Sequence, residues 1–156
     1  MEIRRANKGD IDGLKRLLRQ VLEVHHSGRP DLFKTNVTKY TTEELSDLIC
    51  DNERPIFVAL DKKTVVGYVF CVFVQHKDDN ILTDIKTLYI DDLCVDEMRR
   101  GEHIGKMLYD FAVAFAKESG CYNLTLNVWS CNESAMRFYE KCGLKPQKVG
   151  MELILD

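Results

Sequence analysis

The chain has 156 residues, with 22 Lys and Arg against 25 Asp and Glu and a formal net charge of −3. That length points to one domain spanning 1–156, with a core large enough to need no cross-links. A hydrophobic content of 45% with 30% charged residues excludes disordered, collagen-like and membrane classes, and the slight negative charge offers phosphate backbones no global attraction, so no nucleic-acid partner is expected. Glu2 to Ala6 reads as a first strand. Asp10 is placed to cap a helix whose apolar positions Ile11, Leu14, Leu17, Leu18, Val21 and Leu22 fall on one face, with Gly28 and Pro30 as stops. Thr41 with Glu44 forms a capping box ahead of a short second helix carrying Leu45, Leu48 and Ile49.

Three strands are expected next, over Ile56 to Leu60, Val65 to Val74 and roughly Asp84 to Val95, rich in β-branched and aromatic residues. A helical period returns over 104–118, followed by a strand at Tyr122 to Val128, a helix at Glu133 to Lys141 and a last strand at Val149 to Leu155. The alternation of strands and helices makes this an α/β domain around one mixed sheet. The opening MEIRRANKGD has no apolar signal region, and the run Val65 to Val74 is far too short for a membrane span, so the chain reads as soluble and cytoplasmic with no membrane partner. Six cysteines at 50, 71, 94, 121, 131 and 142 contain no CxxC pair, and with no signal region reduced thiols and no metal are expected.

The stretch from Leu93 to Leu108 carries the densest information. A strand runs into a short loop holding Arg99, Arg100, Gly101 and Glu102, and His103, Ile104, Gly105 and Lys106 open an amphipathic helix. The unpaired N–H groups and positive dipole end of such a helix form an anion site. The spacing fits neither a Walker A loop, since three residues separate Gly101 from Gly105 and Met107 follows Lys106, nor a GxGxxG dinucleotide loop. Downstream, Asn132, Ala135, Met136 and Tyr139 recur at helical spacing, so Asn132 and Tyr139 can share a face before Cys142-Gly143-Leu144 ends the helix.

These segments together resemble the GNAT superfamily of acyl-CoA N-acyltransferases. The resemblance rests on V-x(4)-R-G-x-x-I-G-x-x-L from Val95 to Leu108 and on N-x-x-A-x-x-F-Y-x-x-C-G-L from Asn132, and it extends from Ile3 to Leu144. It implies a single domain with a mixed, mostly antiparallel sheet of six to seven strands, a splayed central parallel pair and about four helices. It also implies acetyl-CoA as co-substrate and no metal. Leu93, Cys94 and Val95 would line the pantetheine arm, with backbone groups of Leu93 and Val95 pairing with its amides. The N–H groups from Arg100 to Lys106 would hold the pyrophosphate, and Asn132 would touch the arm. Tyr139 would sit by the thioester sulfur as general acid. The family's loop usually has Gly where this chain has His103, whose N–H can still donate from an ordinary helical φ.

Asp91 and Asp92 supply the acceptor side. An amine with a pKa near ~10.4 is almost wholly protonated at pH 7, and freeing it costs about 4–5 kcal/mol, which a nearby carboxylate can offset by taking the proton. Residues 77–97 carry a net charge of −5 and 99–106 a net +2, an acidic acceptor side beside a basic cofactor side. The stretch Leu88 to Leu93 is similar to the acidic strand of spermidine/spermine N-acetyltransferases. That likeness favours a small cationic amine or polyamine, with Asp91 as proton acceptor and Asp92 holding the substrate. His25-His26 and the stretch Arg29 to Phe33 fall where the family builds its acceptor wall, with Phe33 as the pocket-lining candidate. The alternatives are a protein N-terminal or lysine acetyltransferase and, from another class, a non-catalytic acyl-CoA-binding module. Partners are thus a small-molecule or peptide amine, with a homodimer open as an assembly.

Overall fold

The computed structural model describes residues 1–155. Four helices pack on a single sheet: α1 (Ile11–Gly28), α2 (Thr42–Cys50), α3 (Ile104–Glu118) and α4 (Glu133–Lys141). The strands are β1 (Glu2–Arg5), β2 (Ile56–Asp61), β3 (Thr64–Gln75), β4 (Lys86–Val95) and β5 (Asn123–Leu126), in spatial order β1-β2-β3-β4-β5. All neighbours are antiparallel except β4 and β5, which run parallel.

Among the described residues the sheet therefore has five strands, not six to seven. The missing strand is the one expected at Val149 to Leu155. Its alternating apolar residues give it strand character in sequence, but among the described residues it has no partner strand, so no ladder forms. Asp10 also departs from expectation, because it does not cap α1. Asn7 caps a preceding single turn, and the Asp10 carboxylate accepts from the Asn7 N–H at 2.8 Å and from Arg4 at 2.8 and 3.0 Å. The capping box of α2 is complete: Thr41 Oγ1 accepts from the Glu44 N–H, and Glu44 accepts from the Thr41 N–H.

The sheet separates two cores. On one face Leu14, Leu17 and Leu18 of α1 and Leu45 and Leu48 of α2 pack with Ile56, Val58, Tyr68, Phe70 and Cys94. On the other, Ile104, Leu108 and Ala112 of α3 pack with Phe57, Val66, Val69, Leu88 and Ile90. Every residue of β2 but the last is buried, and so are seven in succession along β3, as expected for strands covered on both faces.

Two irregularities interrupt β4. Phe70 faces Asp92 while its neighbour Cys71 faces Ile90, which leaves Asp91 without an opposite residue in a β-bulge. Pairing of β4 with β5 then stops at Ile90 and Leu126, although β4 continues to Val95. From Asp91 onward the β5-facing edge of β4 is open.

Candidate active site

The bulge decides where the acidic pair points. In an unbroken strand Asp91 and Asp92 would face opposite sides. Here Leu88 and Ile90 pack on the α3 side, and after the bulge it is Leu93 and Val95 that do so, while Cys94 has moved to the α1 side. The extra residue brings both carboxylates to the α1 side: Asp92 accepts a hydrogen bond from the Tyr68 hydroxyl at 2.8 Å, and Asp91 accepts one from Lys39 Nζ at 2.9 Å.

The two carboxylates differ sharply in environment. Asp91 is exposed and already neutralised by a cation. Burial alone would lower the Lys39 pKa, but the hydrogen bond and charge of Asp91 outweigh it and hold Lys39 protonated. Asp92 sits deeper, and its desolvation pushes its pKa up to about 6 against the opposing pull of the Tyr68 hydroxyl and the Lys39 charge. Tyr139 of α4 packs against the α3-side core, with the rings of Tyr109 and Phe138 at 6.4 and 5.0 Å. Burial and then the charge of Asp92 raise the Tyr139 pKa, so its hydroxyl keeps its proton at neutral pH. Burial pushes the thiols of Cys71 and Cys94 up to about 12, so neither is a thiolate under the same conditions.

The loop after β4 is set by α1. Asp96 caps a single turn by accepting from the Met98 N–H and is gripped by Arg16, whose second nitrogen donates to the Val65 carbonyl at 2.7 Å. Arg99 is occupied by Asp61 and Glu102, and Lys106 by Asp110. Arg100 is exposed and makes no ion pair among the described residues. No backbone N–H from Arg100 to Lys106 donates to another described residue; the ladder of α3 begins with Met107 donating to His103 O. These donors at the head of a 15-residue helix suit an anion with several oxygens.

His103 corrects an expectation. It does not take an ordinary helical φ: its φ of 61° and ψ of 14° are left-handed, and Gly101 has a φ of 86°. Two left-handed residues turn the chain so that α3 starts with its N–H groups facing outward, a conformation that costs a non-glycine residue about 1–2 kcal/mol. A Cβ on Gly101 would have nothing within 4 Å, so only its backbone conformation favours glycine. Asn132 also has a local task, because its Oδ1 caps α4 by accepting from the Ala135 N–H at 3.1 Å.

Phe33 stands between α1 and the β5–α4 loop, tilted on His25 at 5.0 Å and edge-on to Trp129 at 5.2 Å. Asp91 lines a cavity of about 140 Å³ together with Tyr40, Leu48, Arg54 and Phe70. Lys39, Tyr40, Tyr68 and Trp129 were not legible as candidate residues. Of these, only the isolated tryptophan directly after a strand carried a signal.

The family model of the acetyltransferase (GNAT) family matches residues 18–144. The chain belongs to that family. It is 31% identical over 147 residues to the peptidyl-lysine N-acetyltransferase YjaB of Salmonella typhimurium, a match covering 93% of this chain and 83% of that protein. It is 34% identical over 71 residues to a glucosamine 6-phosphate N-acetyltransferase of Arabidopsis thaliana, covering 46% of each. The match thus spans about half the length of such sugar-phosphate relatives. A solved tetramutant of the BH1408 protein from Bacillus halodurans superposes with a TM-score of 0.94 at 33% identity, covering 99% of this chain and 100% of that one. None of its helices, among the described residues, is long and apolar enough to cross a membrane.

Proposed function

We propose that this GNAT enzyme moves the acetyl group of acetyl-CoA directly to a primary amine, with Asp92 accepting the amine proton and Tyr139 protonating the departing thiolate. The observation that carries the reading is the divergence of two groups that feel each other's charge: one carboxylate raised to about 6 and one phenol raised further from neutrality. This reverses the roles expected within the acidic pair, because Asp91 already holds a cation and Asp92 does not.

The donors from Arg100 to Lys106, the free Arg100 guanidinium and the open edge of β4 at Leu93, Cys94 and Val95 fit a pyrophosphate and a chain of amides, which supports acetyl-CoA as co-substrate. When bound it supplies the activated acyl group. The remaining work falls to the protein. Above its pKa the Asp92 carboxylate takes a proton from the ammonium, directly or through water, so that the nitrogen lone pair is free to attack. Tyr68, donating to Asp92 Oδ2, fixes that carboxylate's orientation. Phe33 and Trp129 wall the acceptor side.

The acceptor proposed is a small amine bearing a positive charge, drawn to the two carboxylates. A lysine side chain of a protein is a second reading. It is favoured by the long match to a peptidyl-lysine enzyme and by the ammonium of Lys39 resting on Asp91, as a substrate lysine would.

The test is thiol release from acetyl-CoA against polyamines, amino sugars and lysine peptides. Tyr139→Phe should lower kcat by roughly 10²–10⁴ with little change in KM, and Asp92→Asn should remove the acid limb of the pH profile near 6. Unchanged kcat in both variants overturns the assignment. Thermal protection by CoA without release on any amine would indicate a binding module instead.

A further inference from the structure

One primary amine already rests on the acidic pair, and it belongs to the chain itself. Lys39 lies in the segment between α1 and α2, and its Nζ donates to Asp91 Oδ2 at 2.9 Å. The contact is built into its surroundings. The ammonium lies 5.4 Å from the centre of the Tyr40 ring; Tyr40 stacks on Phe70, and Phe70 packs edge-on to Tyr68, the donor to Asp92. The charges of both aspartates act on Lys39, and the charge of Lys39 reaches His25, which leans on Phe33.

That position coincides with the start of the open edge. Pairing of β4 with β5 stops at Ile90, Asp91 is the next residue, and Leu93 lies two further on, roughly 7 Å along the strand. The amine is thus presented beside the backbone that fits the acyl-CoA arm. Among the described residues, Lys39 is the lysine that pairs with either of these carboxylates. A free amine has to be collected from solution, whereas this one is tethered in place, which removes the entropy cost of bringing the reactants together.

We propose that Lys39 is a self-acetylation site, at which the chain transfers the acetyl group of acetyl-CoA to its own Nζ. The inference rests on the direct transfer proposed above. Asp92 takes a proton from the ammonium, the freed nitrogen bonds to the acetyl carbonyl carbon, and the carbon–sulfur bond breaks. Tyr139 protonates the departing thiolate and recovers a proton as the nitrogen loses its second. The products are an Nε-acetyl-lysine, CoA with a free thiol, and a proton released to solvent. Acetylation removes the charge that neutralises Asp91, so the modified chain offers both carboxylates to an incoming cationic amine. Lys39 is then both a first acceptor and a plug that its own modification withdraws.

Peptide mass mapping of the full chain, incubated with acetyl-CoA and no amine, tests this. One acetyl group per chain is expected on Lys39, ahead of the exposed Lys62 and Lys63, at a first-order rate independent of protein concentration. Tyr139→Phe should slow labelling of Lys39 by roughly 10²–10⁴ and leave the slow chemical labelling of Lys62 and Lys63 as it was. In chain acetylated beforehand the KM for a cationic amine should fall about two- to five-fold, the scale of one partly exposed ion pair. Lys39→Arg keeps the ion pair but has no amine to acetylate, so the same pretreatment should leave its KM unchanged. Labelling of Lys39 no faster than Lys62, equal labelling in Tyr139→Phe, or a rate proportional to protein concentration overturns the proposal. Thiol release on free amines with Lys39 unmodified overturns self-acetylation and leaves the proposed function standing; absence of both overturns the two together.

Discussion

At the scale of single residues, the burial of Asp92 carries a stability cost. Its folded pKa of about 6 lies above the ordinary carboxylate value of 3.8, so the folded state binds its proton more tightly than the unfolded state does. That contribution is fully present below about pH 4, falls away as the pH rises to about 6, and is absent above. Asp92→Asn, which keeps an oxygen for the Tyr68 hydroxyl, should therefore match the parent near pH 4. It should exceed the parent at pH 7–8 by up to about 3 kcal/mol, at roughly 1.4 kcal/mol per pKa unit. Denaturant melts at the two pH values would show this, and equal stability at pH 8 would contradict it. The acidic pair is legible in sequence, but the difference in environment between its two members is not. That difference depends on Tyr68, which sequence reading buries in an apolar strand, and on Lys39, which arrives from a loop 52 residues away. Composition cannot show which of two adjacent aspartates a distant lysine will reach.

At the scale of elements, α1 does more than pack. Arg16 and Gln20 on its surface hold Asp96 and the Glu97 N–H, so the position of the anion loop depends on how closely α1 lies on the sheet. Gly13 permits that approach: a Cβ there would come within 2.7 Å of Val65 Cβ. Replacing a helix-interior Gly by Ala ordinarily stabilises by about 0.5–1 kcal/mol. Gly13→Ala should instead lower stability by about 1–3 kcal/mol through overpacking and raise the KM for acetyl-CoA, because the loop moves with the helix. A raised Tm would refute this. The elements themselves were largely readable from period and capping chemistry, including the capping box at Thr41 and the amphipathic α3. Where the reading failed, a tertiary partner decided: Asp10 turned to Arg4 rather than to its own helix, and the strand expected at Val149 to Leu155 pairs with nothing among the described residues.

At the scale of the molecule, charge is segregated by pairing rather than by composition. Most cations near the anion loop are already bound to carboxylates, which leaves Arg100 as the exposed one without an ion pair among the described residues. Its influence should therefore exceed that of its neighbours. CoA at a hundred times its Kd should stabilise the fold by about 2.7 kcal/mol, read as a rise in Tm. Arg100→Glu should abolish most of that rise at the same CoA concentration and raise the acetyl-CoA KM, with the unliganded Tm unchanged. An undiminished ligand shift in this variant would remove Arg100 from the binding surface. The net −5 over 77–97 suggested a broad acidic field, yet Lys39 crosses to it from the α1–α2 segment and cancels part of it at the place where it matters.

The bulge at Asp91 makes β4 tolerant of a change in length at this one point. Residues 86–90 and 92–95 each obey a regular alternation, but the two stretches are out of phase, and Asp91 is the offset between them. Loss of one codon here would join the two stretches into a single alternation, with Asp92 and Cys94 still toward α1 and Leu93 and Val95 still toward α3. Loss of the codon for Leu93 instead would exchange the two faces for the residues that follow. A deletion at the bulge would thus remove the partner of Lys39 and leave the Asp92 carboxylate beside Tyr68.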